Sequence, residues 1–240
     1  SVIPFVEKYL KSQLLKNKIR YTNQMYGDRI FSHYYNKTAG IEDWIKSDIN
    51  TEQNPLISAA DTAKLVTSWN SGLADYSTYG PWKIGLYRRL GLSLFLRYPK
   101  PINRPIRDRP NDLSARFGIT YSRASIRYQR EQIRKLLSNR LDTNKLTRRS
   151  YMKELSQTKI ILSPFGWGEI TLKDFEVFLT GGMLLKPSMK HMETWPNFYT
   201  DGVTYQSHDW DLSDLQEKID WALDNNQELQ TIAAKGQQRY

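Results

Sequence analysis

The chain holds 240 residues, 39% of them hydrophobic, with seven Trp, no Cys and a formal net charge of +10. That is enough apolar material for one large or two small cored domains, and it excludes a fibrous or wholly disordered chain. The lack of cysteine excludes disulfide scaffolds, thiol nucleophiles and Cys-ligated zinc, and it fits a reducing, cytoplasmic compartment, which is the expected location. No run of roughly 18 apolar residues is present to span a membrane. The opening SVIPFVEKYLKSQ lacks the basic start and apolar centre of a signal peptide. With Ser rather than Met at position 1, the chain reads as trimmed or fragmentary.

The charge is uneven. Residues 1–150 carry a net +15 and residues 151–240 a net −5. Between Arg97 and Arg149, fifteen basic residues face only Asp108, Asp112, Glu131 and Asp142. Such a segment calls for an anionic partner, or else forms a solvated basic helix face.

In chain order, Val6, Tyr9, Leu10 and Leu14 follow helical spacing. Asn54-Pro55 opens a short helical piece ending near Ala63, and Lys64 to Trp69 reads as a strand closed by Asn70-Ser-Gly72. Tyr98 to Pro110 contains four prolines in thirteen residues, which is incompatible with regular helix or central strand, and a domain boundary is placed there. Ser122 to Asn139 is an amphipathic helix with Ile126, Ile133, Leu136 and Leu137 on one face and Ser122 as its N-cap. Lys159 to Ser163 is a buried strand. Thr171-x-x-Asp174 is a capping box that opens a helix ending at Gly181-Gly182. Met183 to Lys186 and Val203 to Gln206 are short strands, and Ser213-x-x-Gln216 caps a last helix carrying Leu215, Ile219, Ala222 and Leu223. Strands alternating with helices predict a parallel α/β sheet.

This order sets Ser-Pro-Phe165-Gly166-Trp167-Gly168-Glu169 at the carboxyl end of a parallel strand, where open α/β sheets bind ligands. The glycines admit close backbone approach, and the following helix start suits phosphate. Glu169 and Glu176 are acceptors for sugar hydroxyls, or else plain helix-start and helix-surface acids. Asp209-Trp-Asp211 could hold a divalent cation in another context, but the helix start directly after it accounts for both acids. His33, His191 and His208 have no ligand spacing. No metal is therefore expected. His33 and Asp75 are the acceptor-side candidates for a base, and no catalytic residue is assigned. Arg130 is expected to pair with a carboxylate inside its domain.

The run Ser163-Pro-Phe-Gly-Trp-Gly-Glu-Ile-Thr-Leu-Lys-Asp-Phe-Glu-Val-Phe-Leu-Thr-Gly181, continuing through Met183-Leu-Leu-Lys-Pro187, resembles the donor-site segment of group 1 glycosyltransferases of the GT-B fold. Met189 to Pro196, Thr204-Tyr205 and Trp210 to Leu215 resemble a poorly characterised bacterial branch of that group, and the resemblance covers roughly residues 100–240. Glu176 followed by Gly181 matches the pattern, whereas six residues separate Glu169 from Glu176 where seven are usual. The resemblance implies two Rossmann-like parallel-sheet domains, the N-terminal one short or incomplete: an acceptor-side domain over 1–98 and a nucleotide-sugar domain over 99–240. It further implies that Arg116 and Arg123 face the donor diphosphate, with Lys173 and Lys186 as further candidates. Phe165 to Gly168 would supply backbone donors, Glu169 would contact the sugar and Glu176 the ribose.

The expected function is transfer of a sugar from a nucleotide-diphosphate sugar to a hydroxyl of a glycan or lipid-linked saccharide in polysaccharide biosynthesis. No cofactor is expected, nucleic acid is not expected as a partner, and peripheral membrane association is left open. Two alternatives stand beside it. One is a non-catalytic glycosyltransferase-like binding domain, kept open by the short N-terminal part. The other is a nucleic-acid-binding protein using the basic 97–149 segment, with Tyr121 and Tyr128 as stacking groups.

Overall fold

The computed structural model describes residues 2–43, 57–69, 85–91, 100–105 and 108–240. The first pieces are three-residue strands, β1 (Tyr9–Lys11) and β2 (Gln13–Leu15), in place of the helix that the spacing of Val6 to Leu14 suggested. Distant partners override the local period: β1 lies parallel to β3 (Leu65–Thr67), and β2 runs antiparallel to β7 (Met192–Thr194). The strand expected over 64–69 is thus present but shorter. A 3-10 helix, Ala60–Lys64, precedes it. Asn54-Pro55 and Asn70-Ser-Gly72 lie outside the described residues, as does Asp75.

Helix α1 (Ile30–Ala39) ends on Gly40 in the left-handed conformation, with φ of 62°. Around the expected boundary, residues 100–105 and 108–110 carry no regular element. Four strands then form one parallel sheet in the order β4 (Asn111–Ser114), β5 (Thr158–Leu162), β6 (Met183–Pro187), β8 (Gln206–His208). Ile160 is opposite Met183, and Leu185 is opposite Gln206. The edge strand β4 was not anticipated, and β8 begins three residues later than expected.

Alternation along the strands divides two cores. Ile161 and Leu184 pack with Phe31, Ile126, Leu155, Phe175 and Phe178, while Ile160, Leu162, Met183 and Leu185 pack with Ile133, Leu137, Ile219 and Ile232. Burial on both faces is why β5 and β6 read as continuous apolar runs. Each fully buried aliphatic side chain contributes about 1.5–3 kcal/mol.

The covering helices are α2 (Ala124–Leu137), α3 (Arg148–Ser156), α4 (Leu172–Thr180), α5 (Leu215–Asp224) and α6 (Asn226–Arg239). Two caps differ from expectation. The N-cap of α2 is Arg123, not Ser122, and the orphan donors of that end are met by Asp43: its Oδ1 accepts from the Ser125 N–H at 2.7 Å and its Oδ2 from the Ser125 hydroxyl at 2.8 Å. A buried carboxylate from 82 residues away does what Ser122 could do locally, with its charge at the positive end of the helix. The N-cap of α5 is Asp214. Ser213 instead donates through its N–H and its hydroxyl to Asp211 Oδ1, and the Gln216 amide reaches the Leu136 carbonyl.

Candidate functional site

The carboxyl ends of β4 and β5 lie side by side, so loops 115–123 and 163–171 form one rim. Arg130 on α2 ties them together. Its Nε donates to the Phe165 carbonyl and its Nη1 to the Gly118 carbonyl, both at 2.9 Å, and its guanidinium lies over Tyr121 at 4.6 Å and Phe117 at 5.6 Å. It pairs with carbonyl oxygens and aromatic faces rather than with the carboxylate expected. The fork of fixed donors suits this bridging, since a single ammonium has no such geometry.

The base of the glycine loop is held by Asp174. The capping box forms as expected, the Thr171 N–H and hydroxyl donating to Asp174 at 3.1 and 2.9 Å. The same carboxylate accepts from Ser163 at 2.5 Å and Tyr199 at 2.8 Å, and it faces the fully buried Lys186 ammonium at 3.2 Å. Lys186 lies over the Phe165 ring at 5.4 Å. Phe165 is buried, and its N–H donates to Gln129 Oε1. The Gly166 N–H donates to the Gly168 carbonyl at 3.0 Å. Two of the expected backbone donors are therefore already engaged, Phe165 by α2 and Gly166 inside the loop, which gives a shaped loop with Trp167 exposed at its tip.

The expected residues fall into two groups. In the first, already engaged within the fold, Glu176 receives Arg148 at 2.6 Å and the Tyr151 hydroxyl at 2.9 Å. Lys173 donates to the Arg116 carbonyl and lies over Phe117 and Tyr151. Burial, followed by the nearby Arg130 charge, lowers the Lys173 pKa to about 7. The Arg116 side chain points to Glu154 and Asp142, each at 2.9 Å, and those hydrogen bonds raise its pKa. Arg123 donates to the Gly27 carbonyl at 3.1 Å and lies 4.0 Å from Asp43.

In the second, Trp167, Gly168 and Glu169 border a cavity of about 240 Å³ whose other wall is N-terminal and includes Lys11, Gln13, Asp28 and Arg29. Glu169 is buried, accepts from the Gln13 amide at 3.4 Å and lies 3.6 Å from His191 Nε2. Arg29 is the residue the sequence did not disclose. Its Nη1 is buried without a hydrogen-bond partner among the described residues. Burial and then the neighbouring Arg123 lower its pKa. Arg29 borders the cavity with Arg123 near it and with Glu169, Asp43 and Asp28 offsetting part of that charge, and its buried, unpartnered N–H suits an anionic ligand that reaches it. Its signal is orphaned burial across a long sequence separation, which no local pattern carries.

Asp209 and Asp211 are committed to the turn before α5, with the Asp209 N–H donating to Asp214 and Asp211 accepting from Ser213. Among the described residues no group of three His, Asp or Glu is placed to hold a metal ion. His33 accepts the Tyr26 N–H through Nδ1, and burial lowers its pKa.

A parallel α/β sheet with a cavity at one of its carboxyl-end loops, bordered by Lys11 and Arg29 as well as by Asp28 and Glu169, is the layout of a nucleotide-binding domain. Residues 102–240 match the family model described as glycosyl transferase-like, and the chain belongs to that family. Among solved structures, Anabaena HepE in complex with UDP is similar at 16% identity with a TM-score of 0.37. That alignment covers 74% of this chain and 52% of the other, so the chain spans about half the length of this relative. No curated protein matches the chain significantly.

Proposed function

We propose that the chain transfers a sugar from a nucleotide-diphosphate sugar to an acceptor hydroxyl, with residues 99–240 as the donor domain and residues 1–98 on the acceptor side. The observation that carries this reading is the cavity between the glycine loop and the N-terminal wall. It brings the acidic Glu169 and Asp28 and the aromatic Trp167 together with Lys11 and with Arg29, whose buried Nη1 has no partner among the described residues. Departure of the nucleotide builds charge on phosphate oxygens, and preorganised cations in a partly dry cavity stabilise charge of that kind. Arg29 and Lys11 face that charge, Glu169 accepts sugar hydroxyls, and Glu176 accepts from the ribose when it exchanges Arg148 for the ligand. Arg116 and Lys173 brace the rim, and Arg123 raises the local positive potential. No metal takes part in this scheme.

The basic segment supports the same reading over the nucleic-acid one. Arg109 donates to the carbonyls of Leu155, Thr158, Arg104 and Thr180, and Arg140 is paired with Asp220. With Arg116, Arg123, Arg130 and Arg148 also engaged, much of the charge is spent on the fold rather than arrayed for a polyanion. Among the described residues no helix is long and apolar enough to cross a membrane.

The test is release of nucleoside diphosphate from a panel of UDP-, GDP-, ADP- and dTDP-sugars with mixed oligosaccharide acceptors, in EDTA. Acceptor-dependent release lost in Arg29→Ala supports the reading. Nucleotide binding with no turnover on any donor would favour the non-catalytic domain.

A further inference from the structure

A second cavity, about 570 Å³, lies between α1, α2 and the turn before α5, within the usual volume of ligand pockets of roughly 300–1,000 Å³. Half-buried Tyr34, Tyr128 and Trp210 supply ring surface, and Gln132, Gln216 and Asp211 supply polar groups around it. The rings are set at steep angles to one another. Tyr34 meets Trp210 at 88°, and the buried Tyr35 meets Tyr128 at 63°. They offer several differently oriented faces rather than one flat stack.

The charge of the lining decides the ligand class. Among the described lining residues Asp211 is the one ionised group, so the pocket repels phosphate and carboxylate, whereas the cavity at Glu169 sets Lys11 and Arg29 beside Asp28 and Glu169. Two amides and a carboxylate beside aromatic faces match a neutral polyol with an apolar C–H side and hydroxyl edges.

The pocket also backs directly onto the glycine loop. Trp210 meets the Phe165 ring edge-on at 5.6 Å and the His191 ring at 4.9 Å, and its indole N–H is fixed on the Ser188 carbonyl at 2.9 Å. On the pocket floor the Gln129 amide donates to the Tyr35 hydroxyl at 2.6 Å, while its oxygen accepts the Phe165 N–H at 2.9 Å. Floor and loop therefore share one hydrogen-bonded side chain.

We propose that this pocket binds a neutral saccharide, as a subsite for a sugar residue of the glycan being extended. The second half of that statement rests on the glycosyl-transfer reading above, and saccharide binding itself does not.

The probes are neutral hexasaccharides of α-linked and β-linked glucose, N-acetylglucosamine, galactose and mannose. They are titrated into the whole chain in EDTA without nucleotide, with binding followed by saturation-transfer NMR and by the Trp210 indole signal. At least one should bind and shift that signal. Tyr34→Ala and Tyr128→Ala should each weaken it about tenfold, the scale expected for loss of one aromatic contact with its area. Tyr34→Phe keeps the ring and the fold and should retain binding, as should Arg29→Ala. UDP should not displace the saccharide. Failure of every hexasaccharide to bind, binding indifferent to both alanine variants, or displacement by UDP would each overturn the proposal. Tyr-dependent saccharide binding without turnover on any donor would leave the subsite standing and count against the transferase reading alone.

Discussion

Arg130 Nε donates to the Phe165 carbonyl oxygen at 2.9 Å, and through this contact α2 sets the position of the glycine loop. The same guanidinium holds Gly118, so one side chain fixes both halves of the rim. Arg130→Lys keeps the charge and loses the fork. Each charge-assisted hydrogen bond lost from this half-dry position costs roughly 1.5–3 kcal/mol. The expected outcome is a clear drop in melting temperature, with nucleotide affinity reduced more than tenfold in the fraction that remains folded. Calorimetry beside a nucleotide titration checks it. An unchanged melting point would show that the rim does not depend on the bridge.

Glu176 and Arg148 give a contrast between a ligand group and its resting partner. The pair is short at 2.6 Å, but Arg148 is about half exposed, so Arg148→Ala is expected to change stability by less than about 1 kcal/mol. It should leave nucleotide affinity unchanged or improved, because the carboxylate is then released to the ribose. Glu176→Gln should weaken nucleotide binding by the roughly 1.5–3 kcal/mol of a hydrogen bond to a charged acceptor. Isothermal titration of both variants separates the roles. Equal losses in both would mean that the ion pair is structural.

Lys173 makes binding proton-linked. Its folded pKa of about 7 lies below its ordinary value of 10.5. The folded chain therefore binds this proton less readily than the unfolded chain, and stability rises with pH from about 7 towards 10.5 and gains nothing from this group below about 7. A phosphate brought near the rim favours the charged form. Nucleotide binding at pH 8 should then take up protons, read as a dependence of titration enthalpy on buffer ionisation heat. Lys173→Met should abolish the proton uptake and lessen the rise of stability above pH 7, the remainder coming from groups such as Lys186 and Lys11, whose pKa values burial also lowers.

The parts of the site that were legible are those whose signals are local. β5, the capping box at Thr171 and Asp174, and the stop at Gly181 each follow from residues adjacent in sequence. At Gly181, φ is 71° and a Cβ would lie 2.9 Å from Arg109 Nη2, so a side chain there is doubly opposed. The parts that were not legible depend on distant partners. β1 and β2 have only three residues each, and their strand state comes from Leu65 and Met192 rather than from any alternation of their own. Ser122 looked like the cap of α2 because the carboxylate that performs the task, Asp43, lies 82 residues away. Arg29 carries no motif, and its importance lies in an N–H left without a partner at the cavity wall. Arg116 and Arg123 stand in the charge run, which discloses how many cations there are but not which of them are already paired.

In the proposed function the cavity between Arg29 and the glycine loop binds the diphosphate of a nucleotide sugar. The most direct measurement is nucleoside-diphosphate affinity in EDTA for the native chain, for Arg29→Ala, and for a variant with Arg134, Lys135 and Arg140 neutralised. Binding should fall more than tenfold in Arg29→Ala and stay within a factor of two in the triple variant, with weak polynucleotide binding throughout. Equal losses in the two variants, together with tight RNA or DNA binding that falls steeply with salt in proportion to phosphate contacts, would contradict it.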